Sequence, residues 1–159
     1  MNKTYLLLGS NMGNSQQQLL TAIKNITQQV GTVTRQSSLY ATAAWGNTNQ
    51  PDFLNQVIIV TTTLTALQTI DIILGIEKQM GRVRTTKNAP RIIDIDMLFF
   101  NKEIIKEEIL TVPHPEIENR RFVLIPLNEL SPNFKHPISQ KPIHQLLKEC
   151  TDTLDVKKF

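Results

Sequence analysis

The stretch that decides the fold is LNQVIIVTTT, which occupies residues 54–63. Its content of β-branched residues predicts a strand. Thr65 follows at a position that favours the cap of a helix, and Gly81 lies just past the end of that helix. Apolar side chains recur at the spacing of one helical face at Leu67, Ile70, Ile73 and Leu74. The stretch therefore predicts a strand that is followed directly by a helix.

The segments before this stretch show the same alternation. Residues 5–8 predict a short buried strand, and Asn14 or Ser15 is placed to cap a helix after it. Residues 33–42 predict another strand. Residues 43–52 predict a loop, because they are rich in glycine, asparagine and proline.

The segments after it are more mixed. Residues 92–100 predict a strand, and Asn101-Lys102 is placed to turn it into a short hairpin with Ile104-Ile105. The remaining predictions are an extended segment at 112–115, a helical turn at 116–120, a strand at 122–127 and a helix at 142–150.

The predicted order is β-α-β-loop-β-α-loop-β, followed by a hairpin and a C-terminal portion. This order resembles a ferredoxin-like α+β sandwich, in which helices pack on a mainly antiparallel sheet. A chain of 159 residues without a repeat or linker fits one domain over residues 1–159.

Composition and charge narrow the class of protein. Hydrophobic residues make up 40% and charged residues 19% of the chain, as in an ordinary soluble domain. A net charge of +3 does not argue for nucleic acid binding, and it fits an enzyme with an anionic substrate. Cys150 is the only cysteine, so no internal disulfide can form. No signal peptide or membrane span is recognisable, which predicts a cytoplasmic protein without membrane contact.

Two carboxylates interrupt the apolar strand at 92–100. Asp94 and Asp96 point to the same side, because a strand alternates faces with period two. Two carboxylates on one half-buried face repel each other and lose hydration, so a cation is needed to neutralise them. One interpretation is a magnesium site. The plainer one is an ion pair for one aspartate and solvent for the other.

A basic segment leads directly into this strand, with positive charges at Arg82, Arg84, Lys87 and Arg91. It is either a solvated loop or a phosphate clamp, since arginine offers bidentate contacts to phosphate. Metal ligands beside arginines indicate a polyphosphate. No Gly-x-x-x-x-Gly-Lys-Ser/Thr loop is present, so a bound nucleotide would not lie on a P-loop.

Two further groups of residues suggest binding roles. His114 lies between two prolines and near Arg120, and it is either structural or a phosphate contact. Asn55 lies in the apolar strand, and its side-chain amide must satisfy both a donor and an acceptor. It either forms hydrogen bonds that hold the preceding loop or forms them with the edge of a flat heterocycle. Phe53 and Phe122 would stack on the faces of such a ring.

Together, these motifs resemble the 6-hydroxymethyl-7,8-dihydropterin pyrophosphokinase family. The resemblance covers nearly the whole chain, and it rests on the joint order of the segments at 9–11, 50–55, 81–84, 90–96, 111–114 and 119–122. It implies a monomeric enzyme of folate biosynthesis that transfers pyrophosphate from ATP to the hydroxymethyl group of the pterin and releases AMP.

The resemblance also implies roles for particular residues. Asp94 and Asp96 would bind two Mg²⁺ ions, and Arg82 and Arg91 would belong to a mobile catalytic loop. The ATP-binding positions would be Glu77, Arg84, Thr111, His114 and Arg120. The pterin-binding positions would be Thr42, Trp45, Phe53, Asn55 and Phe122.

Three positions depart from the family pattern. Residues 85–89 contain no aromatic, Pro115 replaces a frequent tyrosine, and Ile109 replaces an arginine of some members. We expect Trp45 to supply stacking or lid area instead. Two other hypotheses compete: a nucleotidyltransferase, which would release pyrophosphate, and an RNA-binding ferredoxin-like domain, which would need exposed aromatics on its strands.

Overall fold

The computed structural model describes residues 1–43, 51–83 and 90–159. Within these ranges the chain forms eight strands, four α-helices and one turn of 3₁₀ helix at Ile117–Asn119. The strands are β1 (Asn2–Ser10), β2 (Thr32–Gln36), β3 (Tyr40–Thr42), β4 (Phe53–Thr62), β5 (Asp94–Phe100), β6 (Ile105–Lys106), β7 (Thr111–Val112) and β8 (Val156–Lys158). The helices are α1 (Ser15–Gln29), α2 (Ala66–Gln79), α3 (Arg121–Leu130) and α4 (Ile143–Glu149).

The main sheet has the strand order β5-β1-β4-β3-β8, and β2 also pairs with β4. Its pairings are antiparallel. Since β2 and β3 both pair with β4, they occupy one strand position of the ferredoxin-like order. The predicted α+β sandwich is therefore confirmed. Among the described helices, none is long and apolar enough to cross a membrane.

Both faces of the sheet are covered, which explains the uninterrupted apolar runs in its central strands. On β1, Leu6 and Leu8 face the core that contains α1 and α2, whereas Tyr5 and Leu7 face the core that contains α3 and α4. The candidate site lies on the face that carries α3 and α4, because Gly9 lies on the same side of β1 as Tyr5 and Leu7.

The two long helices begin where the sequence predicts. Asn14 Oδ1 accepts a hydrogen bond from the Gln17 backbone N–H at 3.1 Å. Thr65 and Gln68 form a reciprocal capping box at the start of α2. Each cap contributes about 1 kcal/mol of helix stability, so both confirmed boundaries have a local cause.

The predicted strand at residues 122–127 is wrong, because this segment belongs to α3. Pro126 argues against a helix in sequence, since it lacks an N–H for the helical ladder. The burial of Val123, Leu124, Leu127 and Leu130 shows the spacing of a helical face packed on the sheet. Packing of that face outweighs the hydrogen bond lost at the proline.

Other boundaries also differ from the predictions. The single strand expected at 33–42 is divided into β2 and β3, and Ser37 between them accepts the Val57 N–H with its hydroxyl oxygen at 3.0 Å. The hairpin expected at 101–105 is wrong, because β6 pairs with β7 and not with β5. The C-terminal strand β8, on the edge of β3, was not predicted.

Candidate active site

A row of three residues across the sheet forms the floor of the site. Gly9 on β1 pairs with Asn55 on β4 and with Asp94 on β5, so all three share one face. A Cβ atom at Gly9 would lie 3.0 Å from Asn55 Oδ1 and 3.7 Å from Phe53 Cδ1. The missing side chain therefore opens a hollow between an amide and a carboxylate.

This hollow is part of a pocket, which we call the first pocket. Its walls combine aromatic rings, an amide, a hydroxyl, two arginines and two carboxylates. The lining residues are Leu7, Gly9, Thr42, Ala43, Phe53, Asn55, Arg91, Asp94, Asp96, Arg120 and Phe122. Residues far apart in sequence, from β1 to the start of α3, thus meet at one end of the sheet.

The polar wall of the first pocket is held by a buried hydrogen bond. Asn55 Nδ2 donates to Thr42 Oγ1 at 3.0 Å, and both residues are buried. Thr42 itself pairs with Phe53 in the β3–β4 ladder. The side-chain amide is therefore fixed in orientation before any ligand binds, which suits recognition of a flat polar ring.

Each arginine of the first pocket also lies over an aromatic ring. The Arg91 guanidinium carbon is 5.8 Å from the centroid of Phe53, and that of Arg120 is 5.7 Å from the centroid of Phe122. At this distance a guanidinium is attracted to the ring face. The contacts place positive charge directly beside the two rings.

Asp94 is neutralised by two arginines. Arg82 Nη1 lies 2.8 Å from Asp94 Oδ1, and Arg91 Nη1 lies 3.1 Å from Asp94 Oδ2. Arg82 also donates to the backbone carbonyl of Ile93 at 3.0 Å. Both carboxylate oxygens thus have charged partners, and both partners belong to the basic segment that the sequence predicts to be either a solvated loop or a phosphate clamp.

Asp96 is in a different electrostatic position. Burial, followed by the negative charges of Asp94 and Glu77, raises its pKa to about 8, although Arg82 and Arg120 oppose the rise. A carboxyl group in this setting has too little positive charge around it to ionise readily. The pair of aspartates therefore fits a divalent cation. No three His, Cys, Asp or Glu side chains within the described ranges converge to enclose one, so waters and substrate oxygens would complete a Mg²⁺ shell.

A second pocket lies beside β5 and shares Asp96 with the first. Seven of its ten lining residues are apolar, and Asp96, Thr111 and His114 are the polar ones. The lining residues are Ile70, Leu74, Ile95, Asp96, Met97, Ile109, Leu110, Thr111, His114 and Pro115. Two of the three positions that depart from the family pattern, Ile109 and Pro115, thus belong to this wall.

His114 is held as a neutral ring. Its Nδ1 accepts a hydrogen bond from the Glu116 backbone N–H at 3.1 Å. Burial and then the charge of Arg120 lower its pKa, against the opposing charges of Glu116 and Asp94. The proton of the neutral ring consequently lies on Nε2, where it is a donor for an oxygen ligand.

Glu77, an expected ATP contact, has its carboxylate directed to the backbone of β5. It is buried at the C-terminal end of α2, and its carboxylate accepts the Ile95 backbone N–H at 2.8 Å. The same carboxylate is 3.8 Å from Arg82. Glu77 does not line either of the two pockets. It therefore anchors the edge strand that carries both aspartates.

The remaining expected residues divide into two groups. Thr111 and Arg120 lie in the second and first pockets, respectively. Trp45, Arg84 and the segment 85–89 lie outside the described residues. Three residues of the first pocket, Leu7, Gly9 and Ala43, have no role predicted from sequence. Gly9 belongs to the Gly-Ser-Asn segment that follows the first predicted strand, and this segment could have identified it as a site residue.

Paired carboxylates and arginines beside aromatic rings, on a ferredoxin-like sheet, indicate an enzyme of the phosphoryl- or pyrophosphoryl-transferring class. The model of the 7,8-dihydro-6-hydroxymethylpterin-pyrophosphokinase family matches residues 5–132. The chain belongs to this family.

Individual relatives agree with this assignment. The chain is 39% identical over 151 residues to 2-amino-4-hydroxy-6-hydroxymethyldihydropteridine pyrophosphokinase of Aquifex aeolicus, covering 95% of this chain and 94% of the relative. It is 37% identical over 158 residues to the protein of the same name from Haemophilus influenzae, covering 99% and 98%. The predicted family is therefore confirmed.

Solved structures support the fold. The chain superimposes with a TM-score of 0.74 on the Plasmodium falciparum HPPK-DHPS triple mutant with pteroate, at 20% identity. The match covers 93% of this chain and 43% of that larger protein. The wild-type protein with SDX-DHP gives the same TM-score at 19% identity.

Proposed function

We propose that the chain transfers the pyrophosphate group of ATP to 6-hydroxymethyl-7,8-dihydropterin in a Mg²⁺-dependent reaction, with AMP as the second product. Its family makes it a pyrophosphokinase of folate biosynthesis that acts on hydroxymethyldihydropterin. The nucleotide, the metal and the residue roles are the proposed part. The observation that carries them is that Asp96 lines two chemically different pockets at once.

The first pocket is the proposed pterin site. A pterin is a flat ring with hydrogen-bond donors and acceptors on its edge. Phe53 and Phe122 offer faces for stacking, and the fixed amide of Asn55 with Thr42 offers a polar edge. Backbone groups near Thr42 complete this edge, and Trp45 remains a predicted contact.

The second pocket is the proposed site of the adenosine part of ATP. Ile70, Leu74 and Ile109 supply aliphatic surface for the base, and Thr111 and the His114 Nε2–H supply donors for oxygens. The phosphates would then extend past Asp96 towards the first pocket. Arg84 and Glu77 remain predicted nucleotide contacts.

Asp94 and Asp96 are the residues that would hold Mg²⁺, and two ions remain the expectation. When bound, Mg²⁺ would neutralise phosphate charge and polarise the group that is transferred. Binding of phosphates offers Arg82 and Arg91 a second anionic partner beside Asp94. These arginines then contribute positive charge where negative charge develops on the leaving phosphate.

The proposed chemistry is an in-line displacement. The pterin hydroxyl oxygen forms a bond to the β-phosphorus, the bond from that phosphorus to the bridging oxygen of AMP breaks, and the hydroxyl proton passes to a carboxylate of Asp96 or Asp94. The protein contributes mainly by positioning and charge stabilisation. A monomeric state, a single domain over residues 1–159 and a cytoplasmic location stay predictions.

The test is to incubate the purified protein with Mg²⁺, ATP and the hydroxymethyl pterin, and to separate the nucleotides by chromatography. We expect AMP in equal amount to the pterin diphosphate, and no AMP when the pterin is omitted. ADP as product would indicate a kinase, and released pyrophosphate with a nucleotidyl product would indicate a nucleotidyltransferase. Either result, or no AMP at all, would overturn the proposal.

A further inference from the structure

Asn11 connects two segments that each carry or adjoin a residue of the first pocket. It follows β1 directly and is only 3% exposed. Its backbone N–H donates to the carbonyl of Arg91 at 3.2 Å, and its Oδ1 accepts the Arg91 N–H at 2.9 Å. Its Nδ2 donates to the carbonyl of Pro51 at 3.2 Å. One buried residue therefore holds two segments that are about forty positions apart in sequence.

These contacts determine where two pocket residues lie. One of the two segments contains Arg91. Its Nη1 lies 3.1 Å from Asp94 Oδ2, and its guanidinium carbon lies 5.8 Å from the ring centroid of Phe53. Phe53 follows Pro51 by two residues and begins β4. A shift of either segment would change the distance between the guanidinium and the ring. Asn11 itself lines neither of the two pockets.

We propose that Asn11 is a positioning residue, which aligns Arg91 with Phe53 so that phosphate and pterin lie in reacting geometry. The proposal rests on the proposed function of the first pocket. Asn11 acts on the charged wall through its Oδ1 and its backbone, and on the aromatic wall through its Nδ2. Different atoms of Asn11 bond to Arg91 and to Pro51. A substitution that removes one of these side-chain bonds and keeps the other therefore separates their effects.

The chain contains a matched control at the other end of the same strand pair. Asn101 donates its backbone N–H to the Lys3 carbonyl at 2.7 Å, and its Oδ1 accepts the Lys3 N–H at 2.9 Å. Its Nδ2 donates to Asn2 Oδ1 at 3.0 Å. The same pair of hydrogen bonds, one from the backbone and one to the side chain of an asparagine, joins β1 to the β5 region here. These bonds hold no residue of either pocket.

The experiment compares Asn11→Ala, Asn11→Asp and Asn101→Ala by steady-state kinetics and thermal unfolding. For Asn11→Ala we expect a decrease in kcat of about ten- to a hundredfold and a rise in the KM of the pterin, as small misplacements in an active site produce. For Asn101→Ala we expect a lower melting temperature with kcat and KM within about twofold of the wild type.

Asn11→Asp distinguishes the side-chain bond to Arg91 from the side-chain bond to Pro51. The carboxylate keeps an acceptor for the Arg91 N–H but loses the donor to Pro51. We therefore expect kcat close to that of the wild type and a raised KM for the pterin. This variant also keeps the proposal testable if Asn11→Ala does not fold, since an unchanged KM in Asn11→Asp would overturn it.

The other outcomes are equally decisive. If Asn11→Ala keeps kcat and KM like Asn101→Ala and loses only stability, Asn11 is structural and the proposal fails. If the wild-type chain forms no AMP, the proposed function fails first and the positioning role falls with it. These two failures are distinguished by the wild-type assay alone.

Discussion

The two pockets differ in how their walls are held. The first contains Asn55, whose amide is fixed by a buried hydrogen bond, and Arg91, whose backbone is held by Asn11. The second is lined mainly by apolar side chains, and its polar residues are Asp96, Thr111 and His114. A pocket of fixed polar groups discriminates strongly, because a wrong ligand leaves those groups unpaired. An aliphatic pocket binds mainly through burial of apolar surface and tolerates more change.

Asp96 belongs to both pockets, so its substitution should have the largest effect. Asp96→Asn keeps the shape of the side chain but removes the charge that would hold Mg²⁺. Loss of metal stabilisation corresponds to several kcal/mol, so we expect kcat to fall on the order of a thousandfold. The measurement is AMP formation at saturating substrates.

Thermal unfolding and circular dichroism provide the control for Asp96→Asn. We expect the folded structure to be retained, because Asp96, with its pKa raised to about 8, is largely protonated at neutral pH and asparagine is a neutral side chain of the same shape. Near wild-type turnover in this variant would show that Asp96 is not a metal ligand and would remove the link between the two pockets.

Gly9→Ala should affect the first pocket alone. The new methyl group would lie 3.0 Å from Asn55 Oδ1 and would displace the amide by a few tenths of an ångström. We expect the KM of the pterin to rise about five- to tenfold, the equivalent of one weakened hydrogen bond, and the KM of ATP to stay unchanged. Initial rates with each substrate varied in turn measure this split.

Gly75→Ala is the matched control for Gly9→Ala. A Cβ atom at Gly75 meets nothing within 4 Å, and the residue lies within α2. Alanine there should raise stability by up to about 1 kcal/mol without changing either KM. Equal kinetic effects of the two substitutions would contradict the role assigned to the hollow at Gly9.

A smaller effect, on stability, is expected from breaking a contact at the C-terminal end of α3. The N-terminal end of this helix carries Phe122. Tyr40 Oη donates to Glu129 Oε1 at 2.6 Å, and burial with this contact raises the pKa of Tyr40 to about 12. Tyr40→Phe should lower the free energy of unfolding by about 1.5 kcal/mol, as for a hydrogen bond to a charged group. Tyr5→Phe, which breaks a bond to the Ser131 hydroxyl, should cost less. Urea unfolding compares the two, and a larger loss for Tyr5→Phe would refute this ranking.

The smallest effect concerns the pH dependence of this contact. Burial favours a higher pKa for Glu129, but hydrogen bonds from Tyr40 and Ser38 outweigh it and hold the pKa below its ordinary value of 4.5. A lowered pKa contributes stability above pH 4.5 that is lost as pH falls through the folded-state pKa. In unfolding measurements between pH 3 and 7, Glu129→Gln should show a shallower acid decline than the wild type. An identical decline would mean that another group is responsible.

The parts of the fold with strong local signals were predictable from sequence. The caps at Asn14 and Thr65 and the β-branched strand β4 depend on residues close together in the chain. The helix α3 was not predictable from sequence. A short apolar run that contains Pro126 is equally compatible with a strand until the surface on which it packs is known.

The site shows the same division. The common face of Asp94 and Asp96 follows from the period of a strand alone. The hollow at Gly9 depends on the register of β1 with both β4 and β5, which is set by pairings distant in sequence. The contacts of Asn11 with Pro51 and Arg91 are equally non-local, so no sequence pattern identifies them.

The most direct test of the two-pocket account is a binding measurement by isothermal titration with Mg²⁺ present. The pterin and a non-hydrolysable ATP analogue are each titrated into the wild type, Asn55→Ala and His114→Ala. We predict that Asn55→Ala weakens pterin binding about ten- to a hundredfold and leaves the nucleotide unchanged. His114→Ala should weaken only the nucleotide. If both variants weaken the same ligand, or if Asn55→Ala weakens the nucleotide alone, the assignment of the two pockets is wrong.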